Sequence, residues 1–260
     1  MTRVDLDALA HWKAEGFALL PGLLEPQART ALEAWVGELA VWPEAPHKWM
    51  KWYERTEHGR QLCRVENFVP FHTGLASLIH DGLLNGVLEQ LVGEPVVLFK
   101  DKINFKLPGG AGFAPHQDAP AFTGFDHSYH VTVMIAVEPS TLRNGCLEVV
   151  TGCHGQGLLP ACSDGTLDPA WVAAQRWTPI EMQPGDVLCF DSLVPHRSLP
   201  NHSGSSRRAL YVTYNLAREH DRRAEYFERK RAAFPPECER APGVDYSGSA
   251  AVYNLGNPIL

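Results

Sequence analysis

His116 and Asp118 stand two positions apart in Ala114-Pro115-His116-Gln117-Asp118-Ala119-Pro120-Ala121-Phe122, between prolines that discourage a helix. Where a strand runs into a loop, side chains at i and i+2 project to the same side, so an imidazole and a carboxylate at this spacing can reach one ion. A lone histidine-x-aspartate is a weak signal, and its weight depends on a third ligand from a distant strand. His196 is the candidate: it follows the apolar run Val187-Leu188-Cys189-Phe190, which is fed by the turn Pro184-Gly185-Asp186. Two histidines and one carboxylate on one face of a divalent iron leave its other positions open. Arg207 opens the next apolar strand, and a hairpin would bring its guanidinium near the ion. Arginine grips a carboxylate in bidentate fashion, which lysine does less well.

The elements that must carry these residues change character along the chain. Residues 5–15 and 26–41 have apolar positions at helical spacing, with Pro26 suited to a first helical turn. Residues 1–95 are expected to be mainly helical. The aromatic stretch 42–54 within them contains prolines that would break regular structure, and either packs its tryptophans or covers a pocket as a lid. From residue 96 to 218, short β-like runs alternate with glycine and proline, the spacing of a sandwich or jelly roll. In the first run Lys100, Lys102, Asn104 and Lys106 share a face opposite Phe99, Ile103, Phe105 and Leu107. That face is either the solvated side of an edge strand or the lining of a barrel mouth that attracts anions. Residues 219–260 form a charged helix, expected on the surface, and a tail whose last apolar residues can pack back on the core.

Composition narrows the function. A chain of 260 residues with 45% hydrophobic and 20% charged residues can bury a substantial core as one domain. Its net charge of −7 offers no basic footprint for nucleic acid. No run of about eighteen apolar residues occurs, so no membrane span is expected. The six cysteines form no CxxC pair and no secretory signal opens the chain, which points to free thiols in the cytoplasm. A small-molecule partner is expected, and the oligomeric state is not legible. Cys146 and Cys153 read as core residues, and His127, His130, His154 and His202 as histidines without a metal.

Taken together, His116-Gln117-Asp118, the stretch 144–154, the stretch 184–198 and the distal arginine resemble the phytanoyl-CoA dioxygenase-like family of Fe(II)/2-oxoglutarate oxygenases. The similarity covers roughly residues 96–216 and weakens before them. It implies a mainly β fold, a double-stranded β-helix (jelly roll) with flanking α-helices, whose mouth holds iron through His116, Asp118 and His196. It implies that Arg207, with Ser198, pairs with the distal carboxylate of 2-oxoglutarate; Arg208 is the rival for that role. Asn104 matches a family position that contacts the cosubstrate, and Thr132 offers a hydroxyl. Related halogenases replace the carboxylate ligand with a small residue, so Asp118 favours hydroxylation.

The implied reaction consumes O2 and 2-oxoglutarate, releases succinate and CO2, and hydroxylates a small substrate. Lys102, Lys106, Gln117 and Phe122 are candidate lining residues, with Arg64, Glu66 and Asn67 behind them. The lysine face suggests a polar or anionic molecule, and some family members hydroxylate organophosphonates such as 2-aminoethylphosphonate. The alternatives are a barrel that binds metal or ligand without turnover, and a related oxidase that cleaves or cyclises its substrate.

Overall fold

The computed structural model describes residues 3–256 and Ile259, apart from the side chains of Ala250 and Ala251. In chain order the elements are α1 (Leu6–Glu15), β1 (Phe17–Leu20), α2 (Pro26–Val41), β2 (Met50–Thr56), β3 (Gly59–Glu66), α3 (Thr73–His80), α4 (Leu83–Val92), β4 (Val96–Lys106), β5 (Phe113–His116), β6 (His130–Ala136), β7 (Leu147–Val149), α5 (Pro169–Ala173), β8 (Thr178–Ile180), β9 (Val187–Asp191), β10 (His196–Ser198), β11 (Arg207–Leu216), α6 (Arg223–Ala233) and α7 (Ala250–Tyr253). The strands form two antiparallel sheets. The larger has the order β1-β9-β6-β11-β4-β3-β2, and the smaller the order β5-β10-β7-β8. From β4 onward the chain passes back and forth between the sheets, which makes the core a double-stranded β-helix with helices against its outer face.

Each face of the large sheet buries a different set of side chains. Leu32, Val36, Leu75, Leu88, Ile103 and Leu210 join a cluster under α1 to α4, while Met134, Leu147, Val149, Leu188, Phe190 and Tyr211 fill the space between the sheets. A third cluster holds Trp52, Phe99, Tyr226, Phe227 and Phe234, and fastens α6 to the β2–β4 edge of the barrel. No helix among the described residues is long and apolar enough to cross a membrane.

Residues 1–95 carry four helices, with β1, β2 and β3 among them. Three expectations are corrected. The stretch 42–54 runs into β2 rather than forming a lid. Trp42 and Trp49 pack against each other, and the Trp52 indole donates to buried Glu66 at 3.0 Å. Strand β4 is not an edge strand: β3 pairs along one side and β11 along the other, so its lysine face cannot be solvated from an open edge. The charged helix α6 is not merely a surface element, since Tyr226, Phe227 and Lys230 are buried. The expectation for the tail end at Asn257, Pro258 and Leu260 falls outside the described residues; Leu255 is buried.

Candidate metal and cosubstrate site

His116 ends β5 and His196 begins β10, and the two are paired across these antiparallel strands. Their rings lie 4.2 Å apart. Asp118, two residues beyond the strand end, turns back toward both: its Oδ1 is 3.8 Å from His116 Nε2 and 4.0 Å from His196 Nε2. One donor atom from each of the three residues lies within 4.8 Å of the others, and all three residues are buried. Among the described residues no other group of histidine, cysteine and carboxylate side chains meets in this way.

The hydrogen bonds around the histidines define which nitrogen is available. His116 Nδ1 donates to the Ala114 carbonyl at 2.7 Å, and His196 Nδ1 donates to the Val194 carbonyl at 3.0 Å. A carbonyl only accepts, so both Nδ1 atoms carry the proton and both Nε2 lone pairs face Asp118. Burial, reinforced by His196, pushes His116 down to about 3, and burial also lowers His196. Both imidazoles are therefore neutral at physiological pH, the form that binds a metal. Burial alone would raise the Asp118 carboxyl, but Lys102, ahead of His196, His116 and Lys100, outweighs it and keeps the group ionised. Two neutral imidazoles and a carboxylate, buried and converging, are a donor set suited to iron(II).

The site opens on a cavity whose walls include Arg64, Lys100, Lys102, Asn104, Tyr211 and Tyr253. Asn104 Oδ1 accepts from Arg64 Nε at 3.0 Å. Ser198 lines the same cavity and accepts from Lys106 Nζ at 2.7 Å; Lys106 also donates to the carbonyls of Leu199 and Gly145. Arg207 is buried beside them, donating to the Gly145 carbonyl at 2.8 Å. Lys106, expected among the substrate groups, thus stands with Ser198 and Arg207. Arg208 points to the other face of β11, where it pairs with Glu138 at 2.7 Å. Thr132 reaches Asp118 Oδ2 at 3.5 Å and Thr213 at 3.0 Å, so its hydroxyl sits against the carboxylate of the three-residue cluster.

Two expected lining residues are not brought to this cavity. Gln117 faces away from it, donating to the carbonyls of Gly157 and Leu193 and accepting from the Leu159 amide. Phe122 packs edge-on against Phe99 and close to His130. Glu66 stands behind Arg64, and Asn67 binds Arg223 on the outer side. Tyr211 received no site role from the sequence, and Lys100 only a shared place on the β4 face. Both could have been found by counting in twos, Tyr211 along β11 from Arg207 and Lys100 along β4 from Asn104. Phe113 and the tail residues Val252, Tyr253 and Leu255 also line the cavity, and no motif marked them.

A double-stranded β-helix with this centre at its mouth defines a class, the non-haem iron oxygenases. The chain belongs to the phytanoyl-CoA dioxygenase (PhyH) family, which it matches over residues 12–209, and it is an Fe(II)- and 2-oxoglutarate-dependent dioxygenase. It is 47% identical over 251 residues to a 2-aminoethylphosphonate dioxygenase of an uncultured bacterium, an overlap of 96% of each chain. It is 41% identical over 226 residues to a methylphosphonate hydroxylase of Gimesia maris, covering 87% of this chain and 86% of that one. The crystal structure of EctD from S. alaskensis with 2-oxoglutarate and 5-hydroxyectoine matches with a TM-score of 0.71 at 19% identity, covering 83% of this chain and 77% of that chain, a likeness of fold.

Proposed function

We propose that this enzyme hydroxylates a small organophosphonate, with His116, Asp118 and His196 as the iron ligands and Arg207, Ser198 and Lys106 as the receptor for the distal carboxylate of 2-oxoglutarate. The observation that carries the reading is the opening of the three-ligand cluster onto the lysine-bearing face of β4 within one cavity. The overlap with proteins named for 2-aminoethylphosphonate and methylphosphonate supports it over most of the chain. Iron with 2-oxoglutarate, when bound, would activate O2, one oxygen atom of which would become the substrate hydroxyl while the other enters succinate as CO2 leaves.

The chain's own residues orient the reactants. The backbone carbonyls of Ala114 and Val194 hold the two imidazoles with Nε2 inward, and Thr132 steadies the Asp118 carboxylate. Lys102 presents a cation to the substrate, with its ammonium 5.1 Å from the Tyr211 ring centre. Buried walls limit water near the reacting carbon. A cytoplasmic place of action is part of the proposal, supported by six free cysteines of which Cys162 and Cys238 are exposed.

The test is an anaerobic titration of the purified enzyme with Fe(II) and 2-oxoglutarate, followed by O2 and a panel of phosphonates, carboxylates and neutral analogues. Succinate release stimulated by phosphonates and not by neutral analogues is expected. Equal stimulation by neutral compounds would overturn the substrate class, and iron-independent or absent turnover across the panel would favour a binding module.

A further inference from the structure

Strand β4 sets two lysine side chains beside the iron-ligand cluster, Lys100 buried and Lys102 half-buried. Lys100 is only 7% exposed, and it lines the cavity together with Lys102 and Arg64. Among the described residues, neither lysine donates a hydrogen bond or lies at ion-pair distance from a carboxylate; aromatic faces surround them instead. Lys100 Nζ is 5.8 Å from the Phe122 ring centre and 5.2 Å from that of Tyr226. A buried ammonium without an anionic partner is destabilising, so a fold that keeps two of them together has a use for the charge.

The surrounding charges can be counted. Glu66, fully buried, faces Arg64 at 3.6 Å and pairs with Lys230 from α6. Asp101 on the other face of β4 is paired with Arg223 and drops out of the sum. Four basic groups, Arg64, Lys100, Lys102 and Lys230, stand against two carboxylates, Glu66 and Asp118. Burial lowers the three lysines, Lys102 and Lys230 to about 7, so the site takes up its full positive charge when an anion enters.

We infer that Arg64, Lys100 and Lys102 form one receptor for a dianionic, tetrahedral head group, so that the enzyme selects its substrate by double charge rather than by carbon chain. This assignment rests on the phosphonate reading above. It names the groups that hold the phosphonate oxygens, and gives Lys230 and Glu66 the task of positioning Arg64.

The experiment compares 2-aminoethylphosphonate with its sulfonate isostere, 2-aminoethanesulfonate, which has the same chain and tetrahedral head but one negative charge. Both are titrated calorimetrically into enzyme loaded anaerobically with Fe(II) and 2-oxoglutarate, near neutral pH, for the native chain and for Lys100→Met. The phosphonate should bind about thirtyfold or more tighter than the sulfonate, as expected for one added charge-assisted contact in a buried site. Lys100→Met should weaken the phosphonate about tenfold or more and the sulfonate by less than about threefold, while its thermal midpoint stays level or rises because a buried unpaired charge is gone. Equal affinity for the two ligands, or equal weakening of both in the variant, would overturn the receptor. Phosphonate binding that depends on Lys100 without any phosphonate turnover would keep the receptor and sink the reaction. Phosphonate turnover indifferent to Lys100 would do the reverse, and no phosphonate binding would sink both.

Discussion

Lys106 and Arg207 stand directly opposite each other on the paired strands β4 and β11, both buried and both basic. Like charges in that register repel unless an anion lies between or beside them. Burial, and then the neighbouring guanidinium, pushes Lys106 down to about 6, so the lysine surrenders its proton readily until an anion arrives. Replacing Arg207 by Ala should raise the 2-oxoglutarate concentration for half-maximal succinate release about tenfold to a hundredfold, because a charge-assisted bidentate contact is worth roughly 1.5 to 3 kcal/mol. Arg208→Ala, which removes only the carboxylate pairing on the far face, should leave that requirement within about twofold. The opposite ranking would mean that the inward face of β11 is set by the neighbouring residue.

Thr132 supports a ligand rather than supplying one. Its hydroxyl bridges Thr213 and the outer oxygen of Asp118. Thr132→Val keeps the shape and deletes the bond, and should weaken iron binding about tenfold, with KM for 2-oxoglutarate little changed. Equilibrium competition with a chelator measures the first quantity. An unchanged iron affinity together with a raised KM would return Thr132 to the cosubstrate.

Gln117 separates architecture from recognition. It sits between His116 and Asp118, the proposed iron ligands, yet its amide makes three bonds that tie the segment after β7 and the loop after β9 to the site. Gln117→Ala should cost about 1 to 3 kcal/mol of unfolding free energy, because it leaves buried partners unsatisfied. KM for the phosphonate should not move at iron saturation. A large KM change at unaltered stability would put this side chain in the substrate pocket after all.

Much of the centre was legible because its elements are local. The period-two geometry of a strand end places His116 and Asp118 on one side, and the proline-flanked turn before His196 marks where the next strand begins. The lysines of β4 were legible as a face but not as an interior. Whether that face meets water depends on β3 and β11 pairing on both sides of it, and such non-local pairing leaves no trace within one segment. Charge density in α6 hid Lys230 in the same way: a helix with so many ionised residues reads as solvated, and only the buried carboxylate of Glu66 on a distant strand explains why one lysine turns inward. The β2–β3 hairpin was missed because its aromatic residues follow a proline-rich approach, although Met50, Trp52 and Glu54 alternate along it. The tail residues Tyr253 and Leu255 reach the cavity through packing alone.

The metal-free protein should lose stability in acid. Burial, and then His127, holds His130 down to about 3 from an ordinary 6.5, and His116 is held at about 3 as well. Between these values the unfolded chain binds protons that the folded chain refuses, so stability falls as pH drops from 6.5 toward 3. Glu66 extends the loss at the acid end: burial opposes its ionisation, but Lys230 and Arg64 keep it charged down to about 2, against 4.5 when unfolded. Urea midpoints of the apoprotein across this range should decline steadily, and His130→Gln should flatten some of the slope. Midpoints independent of pH would show that these histidines are not buried neutral.

The most direct measurement of the central claim is the coupling of the two products. Enzyme supplied with Fe(II), 2-oxoglutarate, O2 and 2-aminoethylphosphonate should form succinate and hydroxylated phosphonate in equal amounts, and Asp118→Ala should form neither. Succinate released at the same rate with and without any phosphonate, or a hydroxylated product formed without iron, would contradict it.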